Sequence, residues 1–496
     1  MLKKLRVVLA LLFWTGITLL FLDASGILHG YLGWMARLQF LPAVLALNVT
    51  VIAFLVLLTL LFGRVYCSVI CPLGVFQDGI SRLGIRGKKA PYRYRKEQKW
   101  LRYGIWVLFG VALVAGVHVF VSLLAPYSAY GRMVQNLLQP LWLWGGNLIE
   151  TLAEKAGTYA IYPKEVWLRS LPTFLVALVT LGVVVALAFR GGRRYCNDIC
   201  PVGTTLSFFS RFAFFRPVID ADKCKHCKAC ELHCKAGCIA IGKDTEHIDY
   251  SRCVDCFNCI GACRYDALRY RFAYGRKNNA PAKEEKPSGN RRAFLAGTAV
   301  AVGAAALKSV QAHAQAGKKV DGGFADVLPK QAPEREVPVT PPGSPSVRHF
   351  YQHCTACQLC VAECPNNVLR PSGDLERLMQ PEMSFEKGWC RPECTRCSEL
   401  CPTGAIRKIG REEKTGYSVG TARVRRDLCV AENGTRCGKC GEVCPTGAIV
   451  LVDKEETGIR IPSVNEALCI GCGACEFHCP SRPVSAITVN GKFLHV

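Results

Sequence analysis

Charged side chains are scarce in this sequence. Only 20% of its 496 residues are Asp, Glu, Lys or Arg, and 50% are hydrophobic, a composition that indicates membrane segments in a chain long enough for several domains. Acidic residues are the scarcer sign, with 38 against 62 Lys and Arg, which gives a net charge of +24. A positive surplus of this size fits nucleic acid, anionic lipid or the cytoplasmic loops of a membrane protein.

Four long apolar runs lie in the first part of the chain. They cover 6–22, 38–62, 101–125 and 171–189, and each is close to the roughly 20 residues with which an α-helix crosses hydrocarbon. Loop 81–102 holds nine basic residues and one acidic residue, and RGGRR follows the fourth run. This excess of Lys and Arg places both ends of the segment in the cytoplasm and accounts for much of the net charge without nucleic acid. We therefore predict a multi-pass, four-span helical domain in the lipid of a bacterial cytoplasmic (inner) membrane.

A repeated motif, Y-C-x-x-I-C-P-x-G, follows the second and the fourth apolar run, at 66–74 and 195–203. Cysteines four residues apart share one face of a helix, and the proline and glycine suit a helix end. Side by side, the two motifs present four thiols to one another. The spacing matches no standard cluster motif, so structural or reactive cysteines and a shared iron–sulfur or other metal site remain alternatives. The four thiols belong to Cys67, Cys71, Cys196 and Cys200.

His118 places an ionisable side chain inside the third apolar run. Such groups are rare in a membrane and are candidate functional sites by default. No other histidine lies within a run, which argues against a haem with two histidine ligands. A hydrogen bond to a quinol and a packed neutral histidine remain. Weaker candidates for quinol contact are Asn48 in the second run and the outer-face cluster Tyr127, Tyr130 and Arg132.

Cysteine is abundant, with 29 residues, and its regular spacing excludes a disulfide framework. Two runs spaced C-x2-C-x2-C-x3-C follow the fourth apolar run, although Lys235 and Arg264 stand where proline usually follows the last cysteine. In two-cluster ferredoxins the fourth cysteine of each run ligates the cluster of the other run. Zinc is the alternative. We predict one cluster on Cys224, Cys227, Cys230 and Cys263, and a second on Cys253, Cys256, Cys259 and Cys234.

An export-like segment, 290–316, lies past the middle of the chain. Arg291 and Arg292 precede a short alanine-rich run, and small residues around Ala314 and Ala316 offer cleavage sites. The pattern is similar to a twin-arginine signal, and a basic linker beside a soluble alanine helix is the alternative. Because that route exports folded, cofactor-loaded proteins, we predict that the following residues lie in the periplasm.

Four further cysteine quartets fill the C-terminal part, and each ends in Cys-Pro, as bacterial cluster runs do. So few residues lie between them that little room remains for a hydrolytic or transferase site. We predict four [4Fe–4S] clusters here and six in the chain, held by short hairpins and single-turn helices. We expect the first run to pair with the last, and the middle two with each other. The quartets are Cys354, Cys357, Cys360 and Cys364; Cys390, Cys394, Cys397 and Cys401; Cys429, Cys437, Cys440 and Cys444; and Cys469, Cys472, Cys475 and Cys479.

Together these motifs resemble two known families. Residues 1 to about 275 are similar to NapH/MauN-type membrane ferredoxins, and those from about 288 onward to MauM/NapG-type periplasmic ferredoxins. The resemblance implies that the membrane part oxidises (mena)quinol and that electrons pass to a periplasmic oxidoreductase or cytochrome, nitrate reductase-like or other. It implies a quinol dehydrogenase component in place of a stand-alone enzyme. NosR-type regulators and RdxA/CcoG-type assembly proteins share the membrane part, so a redox-regulatory or metalloenzyme-assembly role is the alternative.

The predicted fold is thus an α-helical membrane domain joined to small α+β ferredoxin domains of the bacterial two-[4Fe–4S] type. The domains are 1–212, transmembrane; 213–274, a cytoplasmic two-cluster ferredoxin; 275–345, a linker with the signal-like segment; and 346–496, a periplasmic four-cluster ferredoxin.

Overall fold

The computed structural model describes most of the chain, and its longest gap lies in the linker around the export-like segment. The twin-arginine-like stretch 290–316 lies outside the described residues, so its role stays a prediction. The described residues are 2–23, 26–84, 92–155, 166–242, 245–274, 319–321, 325–453 and 458–495.

Helices α1 to α11 form the N-terminal domain. Among the described helices, α1 and α10, of 21 residues each, are long and apolar enough to cross a membrane, and α4 is apolar but shorter. Helix α5 packs along α10, and α1 packs against both α2 and α5. The helices are Leu2–Leu22, Leu28–Arg37, Phe40–Leu45, Val49–Phe62, Pro72–Gly84, Lys99–Ala115, His118–Leu124, Pro126–Met133, Gln139–Lys155, Leu171–Gly191 and Pro201–Ser210.

The second and third predicted spans are wrong as continuous helices. The second run is divided between α3 and α4, because Leu47 has a left-handed φ of 51° and the Asn48 side chain caps α4 by accepting a hydrogen bond from Val51 N at 3.2 Å. The third run is divided between α6 and α7 at Gly116, whose φ of 79° ends α6 in the left-handed region that glycine tolerates. Four continuous membrane spans are therefore not supported by the described helices.

The two cysteine motifs form matching local structures. Each begins with a π-helical turn, Tyr66–Ile70 and Tyr195–Ile199, in place of the expected α-helical turn. A new α-helix then starts at Pro72 and at Pro201. Proline suits this position because its missing N–H has no partner in the first turn of a helix and its φ is already helical. The second cysteine of each motif therefore lies at the junction between the π-turn and the new helix.

Small ferredoxin folds follow the helical domain, as predicted. Helices α12 to α19 are Ala229–Leu232, Asn258–Ala262, Val347–His353, Leu359–Ala362, Arg396–Leu400, Arg411–Gly416, Lys439–Glu442 and Ala474–His478. Strands β1 to β12 are Phe215–Ile219, Ile239–Ile241, Glu246–Ile248, Leu268–Phe272, Lys319–Asp321, Ala325–Val327, Leu369–Pro371, Pro381–Met383, Gly420–Val424, Ile449–Asp453, Arg460–Val464 and Ile487–Gly491. All pairs are antiparallel and two-stranded: β1–β4, β2–β3, β5–β6, β7–β8, β9–β12 and β10–β11.

The two ferredoxin modules contact opposite ends of α10. Before its first turn, Arg169 Nη1 donates a hydrogen bond to Val361 O of the C-terminal module. Just past its last turn, Arg193 N donates to Lys235 O of the first module at 2.9 Å. At 1.5 Å per residue, the 21 residues of α10 span about 30 Å, close to the thickness of a hydrocarbon core. One hydrophobic cluster joins the helical domain to both modules.

Candidate metal centres

Two cavities in the first ferredoxin module are lined by cysteine thiols. One is bounded by Cys224, Cys227, Cys230 and, from the other run, Cys263. The second has Cys253, Cys256 and Cys259 from one run and Cys234 from the other, with Cys238 beside them. This is the exchange of fourth cysteines that the spacing predicts. The residues present fit two four-iron cubes, and their role as ligands stays a prediction.

Left-handed backbone recurs between the cysteines of four runs. Outside glycine such conformations cost of order 1–3 kcal/mol each and persist only where the surroundings impose them. Here they wrap each loop around a common centre, which turns consecutive thiols inward. Glycine at two of these positions in the last run was the one local signal for this geometry. The residues are His226, Lys228, Asp255, Phe257, Ala356, Gln358, Gly471 and Gly473, with φ between 47° and 78°.

The C-terminal module pairs consecutive runs. Burial is the main cause that raises the pKa of the Cys354 and Cys360 thiols, and Cys401 of the second run adds to it. Cys364 acts in the same way on Cys390, whose pKa burial and this neighbour raise to about 11. The expected pairing of the first run with the last is therefore wrong. The physical reason is local packing, because α15 packs against α16 and α18 against α19.

A third cavity completes this pattern in the third and fourth runs. Cys444 ends the third run and lines the cavity with Cys469, Cys472 and Cys475 of the fourth. The Cys469 thiol also accepts a hydrogen bond from Ala422 N at 3.4 Å. Backbone donors of this kind stabilise a thiolate, so this environment also fits a cluster ligand.

The spacing of the thiols argues against mononuclear zinc. A tetrahedral Zn–S distance of about 2.3 Å puts the four sulfurs about 3.8 Å apart. In the part of the chain that the structure describes, no cysteine quartet brings three thiols within 4.8 Å of one another. Multi-iron clusters hold their cysteines farther apart than a single ion does. The mixed groups that do meet the limit are Cys224, His226 and Glu246, and Asp23, His29 and Glu363.

The four thiols of the helical domain are brought together and buried. Cys67, Cys71, Cys196 and Cys200 are each 4% exposed, and Cys200 lies within electrostatic reach of the other three. The Cys196 thiol also accepts a hydrogen bond from Gln77 Nε2 at 3.2 Å. The predicted convergence of the two motifs is thus present in the structure.

Two buried arginines lock the motifs together, and sequence reasoning missed them. Arg64 Nη2 donates to Cys196 O at 3.1 Å, and Arg193 Nη1 donates to Cys67 O at 2.5 Å, so each arginine crosses to the other motif. The repeat in fact begins earlier, as G-R-x-Y-C-x-x-I-C-P-x-G, at residues 63 and 192. This longer repeat was the signal that could have identified both arginines.

Asp78 of α5 balances part of the positive charge around the quartet. Its carboxylate accepts hydrogen bonds or ion pairs from Arg193 Nε at 2.6 Å, Lys235 Nζ at 2.5 Å and Arg6. Burial by itself would raise the pKa of this carboxyl, but the three cations hold it well below its usual range. Lys235 thus has a reason to replace the expected proline, because it anchors the first ferredoxin module to the helical domain.

The candidate quinol residues separate into two groups. Asn48 lies at the start of α4, where its side chain acts as a helix cap, and the Tyr130 hydroxyl pairs with Thr18 Oγ1 at 2.6 Å. Tyr127 and Arg132, by contrast, are buried within electrostatic reach of Cys357. Tyr127 and Arg132 therefore lie beside a cysteine loop of the C-terminal module. Asn48 and Tyr130 have other partners.

Several buried polar atoms of Tyr127, Arg132 and the further candidate His118 have no hydrogen-bond partner among the described residues. They are Tyr127 Oη, Arg132 Nε and Nη2, and His118 Nδ1. Arg132 Nη1 donates to Ser122 O at 2.8 Å, and His118 begins α7, within electrostatic reach of His353 of the C-terminal module. Buried polar atoms are rarely left unpaired, so these atoms are available to a polar ligand. His118 lies at a helix start and not in mid-span as expected.

Thiols grouped in this way define an iron–sulfur protein of the ferredoxin type, and comparisons with known families agree. A family model described as "4Fe-4S binding domain" matches residues 44–91 and 173–219, which contain the two halves of the buried quartet. Another, described as "4Fe-4S dicluster domain", matches 433–482. No solved structure matches the chain.

Similar proteins of known families are also of the ferredoxin type. Ferredoxin-type protein NapF of Escherichia coli K12 is 31% identical over 179 residues, which are 36% of this chain and 98% of NapF. Methylamine utilization ferredoxin-type protein MauM of Methylobacillus flagellatus is 29% identical over 212 residues, 41% of this chain and 85% of MauM. An uncharacterized protein of Methanocaldococcus jannaschii is 30% identical over 170 residues, 32% of this chain and 66% of that relative.

The chain belongs to the family of ferredoxin-type iron–sulfur proteins that includes NapF. It is an electron-transfer protein related to NapF and MauM. The expected similarity to MauM-type ferredoxins is confirmed, and the similarity of the N-terminal part to NapH/MauN-type proteins stays a prediction.

Proposed function

We propose that this protein takes electrons from a quinol, menaquinol or a related one, in a bacterial inner membrane. It passes them through [4Fe–4S] clusters, of which the chain holds six, to an extracytoplasmic oxidoreductase or cytochrome. One observation carries the proposal. Cysteine groups lie against both ends of the 21-residue α10, and a third group lies in the helical domain that joins them. In this assignment the first module is cytoplasmic and the C-terminal module periplasmic.

The quinol would bind at the contact between α7, α8 and the C-terminal module. Oxidation of a quinol to a quinone releases two electrons and two protons. His118 Nδ1 and Tyr127 Oη are unpaired buried atoms suited to accept or relay a proton, and Arg132 offers two unpaired N–H donors to a quinone oxygen. Cys354, Cys357, Cys360 and Cys401 would hold the cluster that accepts these electrons one at a time, and their loop packs against α8 at Gly131, where a Cβ would lie 2.5 Å from Cys357 O. The clusters supply the redox chemistry.

A second function uses the buried quartet differently. In a redox-regulatory or assembly protein of the NosR or RdxA kind, these thiols would handle a metal in transit. Exposure of 4% for each thiol favours a resident group over one that is exchanged, so we rank this function second.

Reduction by quinol tests the proposal. We would purify the full chain anaerobically in detergent and add a menaquinol analogue. The visible absorbance of the clusters should bleach, and Arg132→Gln should slow the bleaching at least tenfold. Asn48→Ser is the matched control, because it keeps a helix cap at a candidate position at the start of α4 and not on α7 or α8, and its rate should equal that of the unmodified protein. Absence of bleaching with all clusters present would contradict the proposal.

A further inference from the structure

We propose that Cys67, Cys71, Cys196 and Cys200 hold an additional iron–sulfur centre, beyond the six of the ferredoxin modules, and that this centre relays electrons between them. Its role as a relay rests on the proposed function above. Its existence as a site does not, because the arguments for it are geometric and electrostatic.

The site is built with two-fold pseudosymmetry. Each motif contributes two thiols, and each arginine reaches across to the opposite motif. The glycine two positions after each proline is closely enclosed: a Cβ on Gly74 would lie 2.6 Å from Arg193 Nη1, and a Cβ on Gly203 would lie 2.6 Å from Arg64 Nη2. The same contacts thus occur in both motifs and hold the four thiols around one point. Cysteines with separate structural roles would not need this arrangement.

Charge also favours an anionic group between the motifs. The buried guanidinium groups of Arg64 and Arg193 both lie within electrostatic reach of Cys67 and Cys196. Asp78 forms an ion pair with Arg193, whereas no carboxylate among the described residues forms one with the Arg64 side chain, and unpaired buried charges are costly. An iron–sulfur core with four thiolates carries a charge of about −2 when oxidised. A centre of this kind would offset the charge of Arg64, and four neutral thiols would not.

The arginines have the geometry of partners to such a centre. Arg64 Nη2 lies 3.8 Å from Cys67 Sγ, and Arg193 Nη1 lies 3.8 Å from Cys196 Sγ. Hydrogen bonds to cluster sulfurs are a known means of setting reduction potentials. Arg64 Nε and Arg193 Nη2 have no other partner among the described residues. The thiols are also too widely spaced for one zinc ion.

The quartet lies between the two modules along a path of contacts. Toward the first module, Asp255 stands between two cluster cysteines of its run and accepts a hydrogen bond from Arg64 N at 3.0 Å. Toward the C-terminal module, Tyr195 precedes Cys196 and lies within electrostatic reach of Arg132, which also reaches Cys357. Each transfer along this path moves one electron: the centre is reduced by one neighbouring cluster and oxidised by the next, and no bond or proton changes.

Iron analysis of full-length variants tests the site. Cys67→Ser with Cys196→Ser, and separately Cys71→Ser with Cys200→Ser, should each lose the same EPR signal. The iron content shows which type of cluster is present. A loss of about four irons per chain indicates a [4Fe–4S] cube, and a loss of about two irons indicates a two-iron centre. Ser68→Ala is the matched control inside the same π-turn, and it should lose neither. Unchanged iron and EPR in both double variants, or zinc in place of iron, would overturn the proposal.

A second variant covers the case in which the serine variants fail to fold. Arg64→Gln keeps all four thiols and removes one cation beside the centre. The midpoint potential of the additional EPR signal should fall, because reduction adds negative charge that Arg64 no longer offsets, and the other signals should stay in place. If no separate signal responds, the proposal fails.

The two proposals fail separately. If quinol bleaches the ferredoxin clusters in both serine variants and no iron is lost, the relay centre is absent and the proposed function survives. If the quartet contains iron and quinol reduces no cluster, the site exists and the proposed function is wrong.

Discussion

Replacing Asp78 with asparagine tests the charge balance inside the helical domain. The carboxylate is 5% exposed and contacts three cations, Arg6 of α1, Arg193 just past α10 and Lys235 of the first ferredoxin module. Loss of its charge therefore removes the one carboxylate that all three buried cations contact, at the point where α1, α5, α10 and the module meet.

We expect a large loss of stability, because the substitution removes the only anionic partner that the three cations share. Breaking a buried ion pair in this way lowers the free energy of unfolding by about 3–5 kcal/mol. Lys235→Met should cost far less, because Asp78 keeps two arginine partners and one source of repulsion among the cations is removed. The order of the two effects is the specific consequence of three cations facing one carboxylate.

Denaturant unfolding of the full chain in detergent at pH 7, followed by tryptophan fluorescence, measures both variants. Asp198→Asn is the control, since Asp198 pairs with Arg95 at 3.3 Å and the Arg95 side chain is 32% exposed. Exposed pairs of this kind contribute at most about 1 kcal/mol. Equal midpoints for Asp78→Asn and the unmodified chain, or a larger loss for Lys235→Met, would refute the reasoning.

The penalty of Asp78→Asn should not depend on pH in the neutral range. The folded pKa of Asp78 is depressed, so its stabilising contribution is complete above the unfolded pKa of about 3.9. It is lost only as the pH falls through the folded pKa. Equal differences in unfolding midpoint at pH 5.5 and pH 8 are expected, and a penalty that shrinks at pH 5.5 would show that the carboxyl already takes up a proton there.

Three further substitutions test single contacts. Gly131→Leu should weaken docking of the C-terminal module, seen as faster proteolysis of that module, because a Cβ there would lie 2.5 Å from Cys357 O; unchanged proteolysis would contradict the contact. Asn48→Ala should cost about 1 kcal/mol as a lost helix cap and leave quinol-dependent bleaching intact. Arg370→Ala removes a guanidinium 4.5 Å from the Trp167 ring centroid; quenching experiments should then show a more accessible Trp167 indole.

Ligand spacing is local, so the sequence could predict the cysteine groups. Three thiols within seven residues, as in Cys224 to Cys230, must face one centre if the intervening backbone turns, and the left-handed residues between them do so. The convergence of Cys67 with Cys196 was also predictable, because a repeated motif at two helix ends implies two similar structures.

Features that depend on distant packing could not be predicted in this way. Whether Cys401 closes the first or another cluster depends on α15 packing against α16, and spacing carries no information on that contact. Hydropathy alone does not show that the apolar runs are divided at Asn48 and Gly116. In the structure the Asn48 side chain caps the start of α4, and the left-handed Gly116 ends α6. The two buried arginines, Arg64 and Arg193, could not be identified from the shorter motif. That motif begins at its tyrosine, so it excludes the Gly-Arg pair that comes before it in both copies.

The positions of the two modules place a constraint on the linker that is independent of its sequence motif. The chain leaves the first module at Tyr274, and the two modules contact opposite ends of α10, which are about 30 Å apart. If α10 crosses a membrane, the two modules lie on opposite sides of it and the connection between them crosses it as well, whatever the number of other spans. The predicted twin-arginine signal, residues 290–316, lies within that connection, and translocation of the C-terminal module by this route stays a prediction. Replacement of Arg291 and Arg292 by lysine should therefore keep a C-terminal reporter inside the cell, and a reporter still exported in that variant would separate the crossing from the twin-arginine route.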